Sequence, residues 1–162
     1  MMKQSIFLFC LLFLMACSKT NTKSNAQTKH AHHSPQQSEL ISGEDPFELP
    51  DSAAVFFANL QDGQEVNSPV HIQFGVRAMK VRPSGQVIKG TGHHHIIVDG
   101  AEYIKQKNTV PADAQHIHYG GGQTETELSL SPGKHKLSMQ FADGVHRSYG
   151  KALSASVEIF VK

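Results

Sequence analysis

Residues 70–77 read Val70-His71-Ile72-Gln73-Phe74-Gly75-Val76-Arg77, in which Val70, Ile72, Phe74 and Val76 alternate with His71, Gln73 and Arg77. Side chains on a strand point alternately to its two faces, so this period of two predicts a half-buried β-strand, with Pro69 marking its start. The same kind of segment recurs on both sides. Val55 to Leu60 precedes it and ends in the turn Gln61-Asp62-Gly63. His93 to Val98, Gln115 to Tyr119, and the inward set Thr126, Leu128 and Leu130 follow. Ser131-Pro132-Gly133 then turns the chain into Leu137, Met139 and Phe141, and Val157, Ile159 and Val161 line a closing strand. No long helical period interrupts them. Seven short strands in about 110 residues predict an all-β domain over 53–162, an immunoglobulin-like antiparallel β-sandwich. That length is enough to build a core without disulfides.

Upstream the composition changes twice. Met1 to Ala16 has the form of an export signal: Lys3 supplies positive charge, and the apolar run Ile6 to Leu14 is too short to span a bilayer. It ends in Leu14-Met15-Ala16-Cys17, which resembles the lipobox of bacterial lipoproteins, so residues 1–16 are expected to be removed and Cys17 to carry lipid. Each buried acyl methylene is worth about 0.8 kcal/mol, so a multiply acylated end anchors firmly to a membrane. Cys10, the other cysteine, lies inside the signal, which leaves no disulfide. Residues 17–52 are dominated by Ser, Thr, Asn, Gln, Lys and His and are expected to form a flexible tether, with His30, His32 and His33 as part of a solvated spacer. Ser18 after the cysteine points to the outer membrane, with the domain in the periplasm or at the surface. The formal net charge is +1, and without a basic run or aromatic-basic interleaving no nucleic-acid partner is expected.

Five of the eleven histidines fall in two groups, Gly92-His93-His94-His95 and Gln115-His116-Ile117-His118-Tyr119. Strand alternation sends His93 and His95 to one face, and His116 and His118 likewise, each pair about 7 Å apart. With Ile96, Val98 and Ile117 read as core residues, both His-x-His pairs face outward and His94 faces inward. If the two strands are neighbours, His93, His95, His116 and His118 can surround a divalent metal at about 2.0–2.1 Å per bond, with Glu125 as a further ligand or supporting carboxylate. Thiolate-free imidazole ligation suits zinc, copper(II) or nickel. If the strands lie in opposite sheets, no common site is possible. Two other readings stand beside ligation: exposed histidines on a polar sheet face, with His94 or His135 hydrogen-bonded to a carbonyl, and a pH-responsive contact surface. His135, just after the Pro-Gly turn, reads as a structural corner residue, His71 as solvent-facing, and His146 as part of a loop able to cap a site.

Several motifs carry a resemblance: Phe57-Ala58-Asn59-Leu60 with Asp62-Gly63, Gly92-His93-His94-His95 with Asp99, Pro111-Ala112-Asp113 before Gln115-His116-Ile117-His118-Tyr119-Gly120, Gly122-Gln123-Thr124-Glu125-Thr126, and Pro132-Gly133-Lys134-His135. Together they resemble the bacterial domain of unknown function 4399 over nearly all of residues 53–162. The resemblance implies a secreted envelope module and supplies no substrate. The segment after Asp143 departs from the more His- and Pro-rich form of the family, which counts against His146 as a site residue.

No Gly-x-Ser-x-Gly elbow, His-Glu-x-x-His helix or cysteine nucleophile marks an enzyme. Gly120-Gly121-Gly122 precedes a strand pattern and reads as a turn, not a phosphate cradle. The sequence therefore leaves an envelope lipoprotein that binds zinc or copper through paired histidines, a metal-free adhesive or scaffolding module that contacts an envelope protein, and, as a lesser alternative, a zinc hydrolase.

Overall fold

A computed structural model describes residues 45–162. The signal segment, Cys17, His30, His32, His33 and most of the expected tether lie outside the described residues. Nine strands are present among those described: β1 (Ala54–Phe57), β2 (Gln64–Val66), β3 (Val70–Arg77), β4 (Lys80–Val81), β5 (Thr91–Val98), β6 (His116–Tyr119), β7 (Glu125–Leu128), β8 (Gly133–Ala142) and β9 (Ser154–Val161), with one short 3-10 turn at Lys151–Leu153. The protein is an all-β sandwich. One sheet has the order β1-β3-β7; the other runs β2-β9-β8-β5-β4, and β6 also pairs with β5. Neighbours are antiparallel except β2 with β9 and β4 with β5, which run parallel. Those two extra strands, β2 and β4, span three and two residues, too few for a period of two to show.

The core is made where the alternating residues of the two sheets meet. Val70, Ile72 and Phe74 of β3 pack against Ile96 of β5, Leu137, Met139 and Phe141 of β8, and Ile159 and Val161 of β9. Each such side chain contributes roughly 1.5–3 kcal/mol on leaving water. Packing reaches back past the expected boundary at residue 53: Phe47 is buried with its ring 5.3 Å from that of Tyr149, and Leu49 lies against the same core.

The six-stranded sheet is covered on its other face as well, and this positions the site. Gln140 of β8 points away from the sandwich core yet is fully buried. Its side-chain oxygen accepts the Ile104 N–H at 2.8 Å, and its amide donates to the carbonyls of Gly150 and Leu153, both at 3.1 Å. Two long loops are thereby pinned over the outer face and joined to each other: Lys107 N–H donates to Ser148, Ser148 N–H to Asn108, and Val110 N–H to His146. A buried amide bonded this fully costs little and fixes where both loops lie.

His135 sits at the corner expected of it. Its Nδ1 lies 2.8 Å from Asp99 Oδ2 and its Nε2 2.9 Å from the Ser131 carbonyl, while Asp99 Oδ1 accepts the Lys136 N–H. Partial burial pulls its pKa down, but the Asp99 hydrogen bond, the Ser131 carbonyl and the Asp99 charge together raise it above the ordinary 6.5. Burial raises the Asp99 carboxyl, and its bonds to Lys136 and His135 lower it below 3.8. A raised histidine stabilises the fold below its unfolded pKa and loses that contribution as pH rises through the folded value; a lowered carboxyl stabilises above its unfolded value and loses that as pH falls. The pair therefore contributes most between about pH 4 and 6.5. Urea unfolding of His135→Gln should show its largest deficit relative to wild type near pH 5.5 and a shrinking one above pH 8. A deficit independent of pH would refute the assignment.

Candidate metal centre

β5 and β6 are adjacent antiparallel strands with His95 opposite His118 and Ile97 opposite His116. On its other edge β5 pairs with β8, setting His93 opposite Ala142 and His95 opposite Gln140. The parity is as the alternation requires. His94 turns into the sandwich core, its ring 4.9 Å from those of Phe74 and Phe141. His93 and His95 turn to the other face, where the expectation of an exposed, polar surface is corrected: both are buried, because the loops tied to Gln140 cover them.

Ala142 ends β8, so the turn that follows it passes directly over His93 and delivers His146. Asp143 shapes that turn. Its Oδ1 accepts the N–H groups of Val145 and Arg147 at 3.0 and 2.8 Å, and its Oδ2 receives the Arg147 Nε–H at 2.7 Å. The Arg147 guanidinium in turn lies over the Phe47 ring. His146 adopts φ +69, a left-handed conformation that non-glycine residues seldom take, and its carbonyl accepts the Val110 N–H.

Four imidazoles converge as a result. His93, His95, His118 and His146 are all in mutual ring contact, with centroids between 4.7 and 5.8 Å apart. Bonds of about 2.0–2.1 Å put each ring centroid about 3.2 Å from an ion, which spaces four tetrahedral rings by about 5.2 Å. Nε2 of His93 lies 3.0 Å from Nε2 of His95, and Nε2 of His146 lies 3.1 Å from Nε2 of His118. Ligand nitrogens around one ion are separated by about 2.9 Å at right angles and about 3.3 Å tetrahedrally. For His93, His95 and His118 the candidate ligand atoms all lie within 4.8 Å of one another.

Three of the rings, His93, His95 and His118, are biased toward the form that ligates. Burial, with the neighbouring rings, depresses His95 to about 2 and His93 to about 4, and burial followed by His146 lowers His118. Neutral imidazole offers a lone pair, and two such lone pairs facing each other at 3.0 Å repel unless a proton or a cation lies between them. Nδ1 of both His93 and His95 is buried without a hydrogen-bond partner among the described residues, so packing and the contact between their Nε2 atoms orient these rings. His94, also depressed to about 4 by burial and by His93, makes no bond through either ring nitrogen and serves as a core residue.

Two residues expected in the site lie elsewhere. His116 shares the face of His118 but sits two residues along the strand, where its Nδ1 is 2.7 Å from Asp113 Oδ1. Glu125 opens β7 in the three-stranded sheet, exposed and 3.5 Å from His71, so it supplies neither ligand nor support to the cluster. Conversely, His146 joins the cluster from the loop expected to cap a site, although the departure of its segment from the family's form counted against it. Asp143-Gly144, a turn pair just before it, was the available signal. Gly120 is the other contributor: the His118 ring occupies the space a Cβ at position 120 would fill.

A family model described as domain of unknown function (DUF4399) matches residues 72–162. The chain belongs to this family. No protein of curated function matches it. The DUF4399 segment begins within β3 and contains all four cluster histidines, Asp143 and Gly120, while β1, β2 and Phe47 precede it.

Proposed function

We propose that this domain binds one divalent transition metal, zinc or copper(II), through His93, His95, His118 and His146. The mutual contact of four imidazoles drawn from β5, β6 and the turn after β8 carries the reading. Nitrogen donors without thiolate suit both ions. With Cys17 lipidated, the module would stand in the cell envelope on a membrane anchor; Cys17→Ser should release it from the membrane fraction, and unchanged retention would reject the anchor.

The metal reading is tested by elemental analysis of the purified, tag-free domain after loading with zinc or copper(II). One ion per chain is expected, with none retained by the His95→Ala, His118→Ala double variant. Gly120→Ala provides a finer check, because it displaces the movable ends of the His118 and Ser84 side chains and no backbone atom. It should leave thermal stability nearly unchanged while weakening metal binding by about 10- to 100-fold, the usual loss when a ligand's orientation is disturbed. Equal metal content in wild type and the double variant would defeat the site.

A further inference from the structure

A cavity of about 480 Å³ opens beside the cluster, lined by His95, His118 and His146 and by Val110, Pro111 and Ala112. Its size falls within the range of about 300–1,000 Å³ typical of small-molecule sites. His118 is exposed, so an ion held by the four imidazoles would be reached from this side, where a further oxygen would add as a fifth ligand. The cavity also contains the His116 and Asp113 pair. Asp113 Oδ1 accepts the backbone N–H groups of Gln115 and His116 as well as facing the His116 ring, so carboxylate and imidazole are held as one unit. With Nδ1–H given to Asp113, Nε2 of His116 is the nitrogen left for a hydrogen bond with whatever occupies the cavity, and in the neutral ring it accepts.

Three chemistries thus meet in one space: a cation site that takes an anionic oxygen, a fixed acceptor that takes an O–H donor, and a short apolar wall. We propose that the cavity binds a small hydroxylated carboxylate, whose carboxylate coordinates the bound metal, whose hydroxyl donates to His116 Nε2, and whose carbon chain lies along Val110 to Ala112. The inference rests on the metal reading above and gives it a purpose, the presentation of the ion to a small ligand.

The test uses the full chain loaded with cobalt(II), whose visible spectrum reports a change in coordination, titrated with lactate and with acetate. Lactate is expected to shift the spectrum saturably and to bind about five- to tenfold more tightly than acetate, the worth of one hydrogen bond. His116→Phe should abolish that preference, and Ala112→Trp, which fills the cavity from an exposed position, should abolish the response to both while one metal per chain is retained. A spectrum unmoved by lactate in a fully loaded protein overturns the ligand site and leaves the metal site standing. A preference that survives His116→Phe overturns the role of that residue, and failure to take up cobalt, zinc or copper overturns both readings.

Discussion

Saturating zinc or copper(II) should raise the thermal midpoint of the domain by about 16 °C. An ion that binds only the folded state stabilises it by about 4 kcal/mol at a thousandfold excess over its Kd, and a domain of this size gains about 4 °C per kcal/mol. The site has the features that such an ion relieves: buried imidazoles kept neutral, opposed nitrogens at 3.0 and 3.1 Å, and Nδ1 atoms of His93 and His95 without a hydrogen-bond partner among the described residues. Differential scanning calorimetry with and without metal gives the number. The His95→Ala, His118→Ala variant should unfold at one temperature in both conditions, and a wild-type midpoint insensitive to either ion would remove the energetic basis of the proposal.

Asp143→Ala should be the most damaging single change in the turn. The carboxylate is completely buried, binds two backbone N–H groups and pairs with Arg147, whose side chain is 37% exposed. Removing one partner of a buried pair costs about 3–5 kcal/mol, and the partial exposure of Arg147 places the loss near 3 kcal/mol. Denaturant unfolding measures that loss. The same substitution frees the turn that holds His146 at positive φ, so metal affinity should fall together with stability. An Asp143→Asn protein with wild-type stability would show that the charge on the carboxylate is not what shapes the turn.

The strands were legible wherever alternation ran for four or more residues. Val70 to Arg77 and Leu137 to Phe141 lie where the pattern puts them, and the opposite facing of His94 and its neighbours follows from the same rule. The burial of His93 and His95 was not legible, because it comes from loops whose placement depends on Gln140, more than thirty residues from the Ile104 it binds. Pairing of β5 with β6 brought His95 and His118 together, and no local pattern states which strands are neighbours. His116 illustrates the limit of parity: it shares a face with His118 and is still drawn off by Asp113, three residues back. Phe47 is a lone aromatic in polar surroundings, and its burial under Arg147 follows from tertiary packing that composition does not record.

The run His93-His94-His95 places identical rings on opposite sides of one strand. A slip of β5 by a single position would send His94 and Ile96 outward and bury two imidazoles beside Phe74 and Phe141, leaving only one ring to meet His118 and His146. An ion held by four nitrogens would therefore bind only correctly aligned chains, and its presence during folding would reject the misaligned ones.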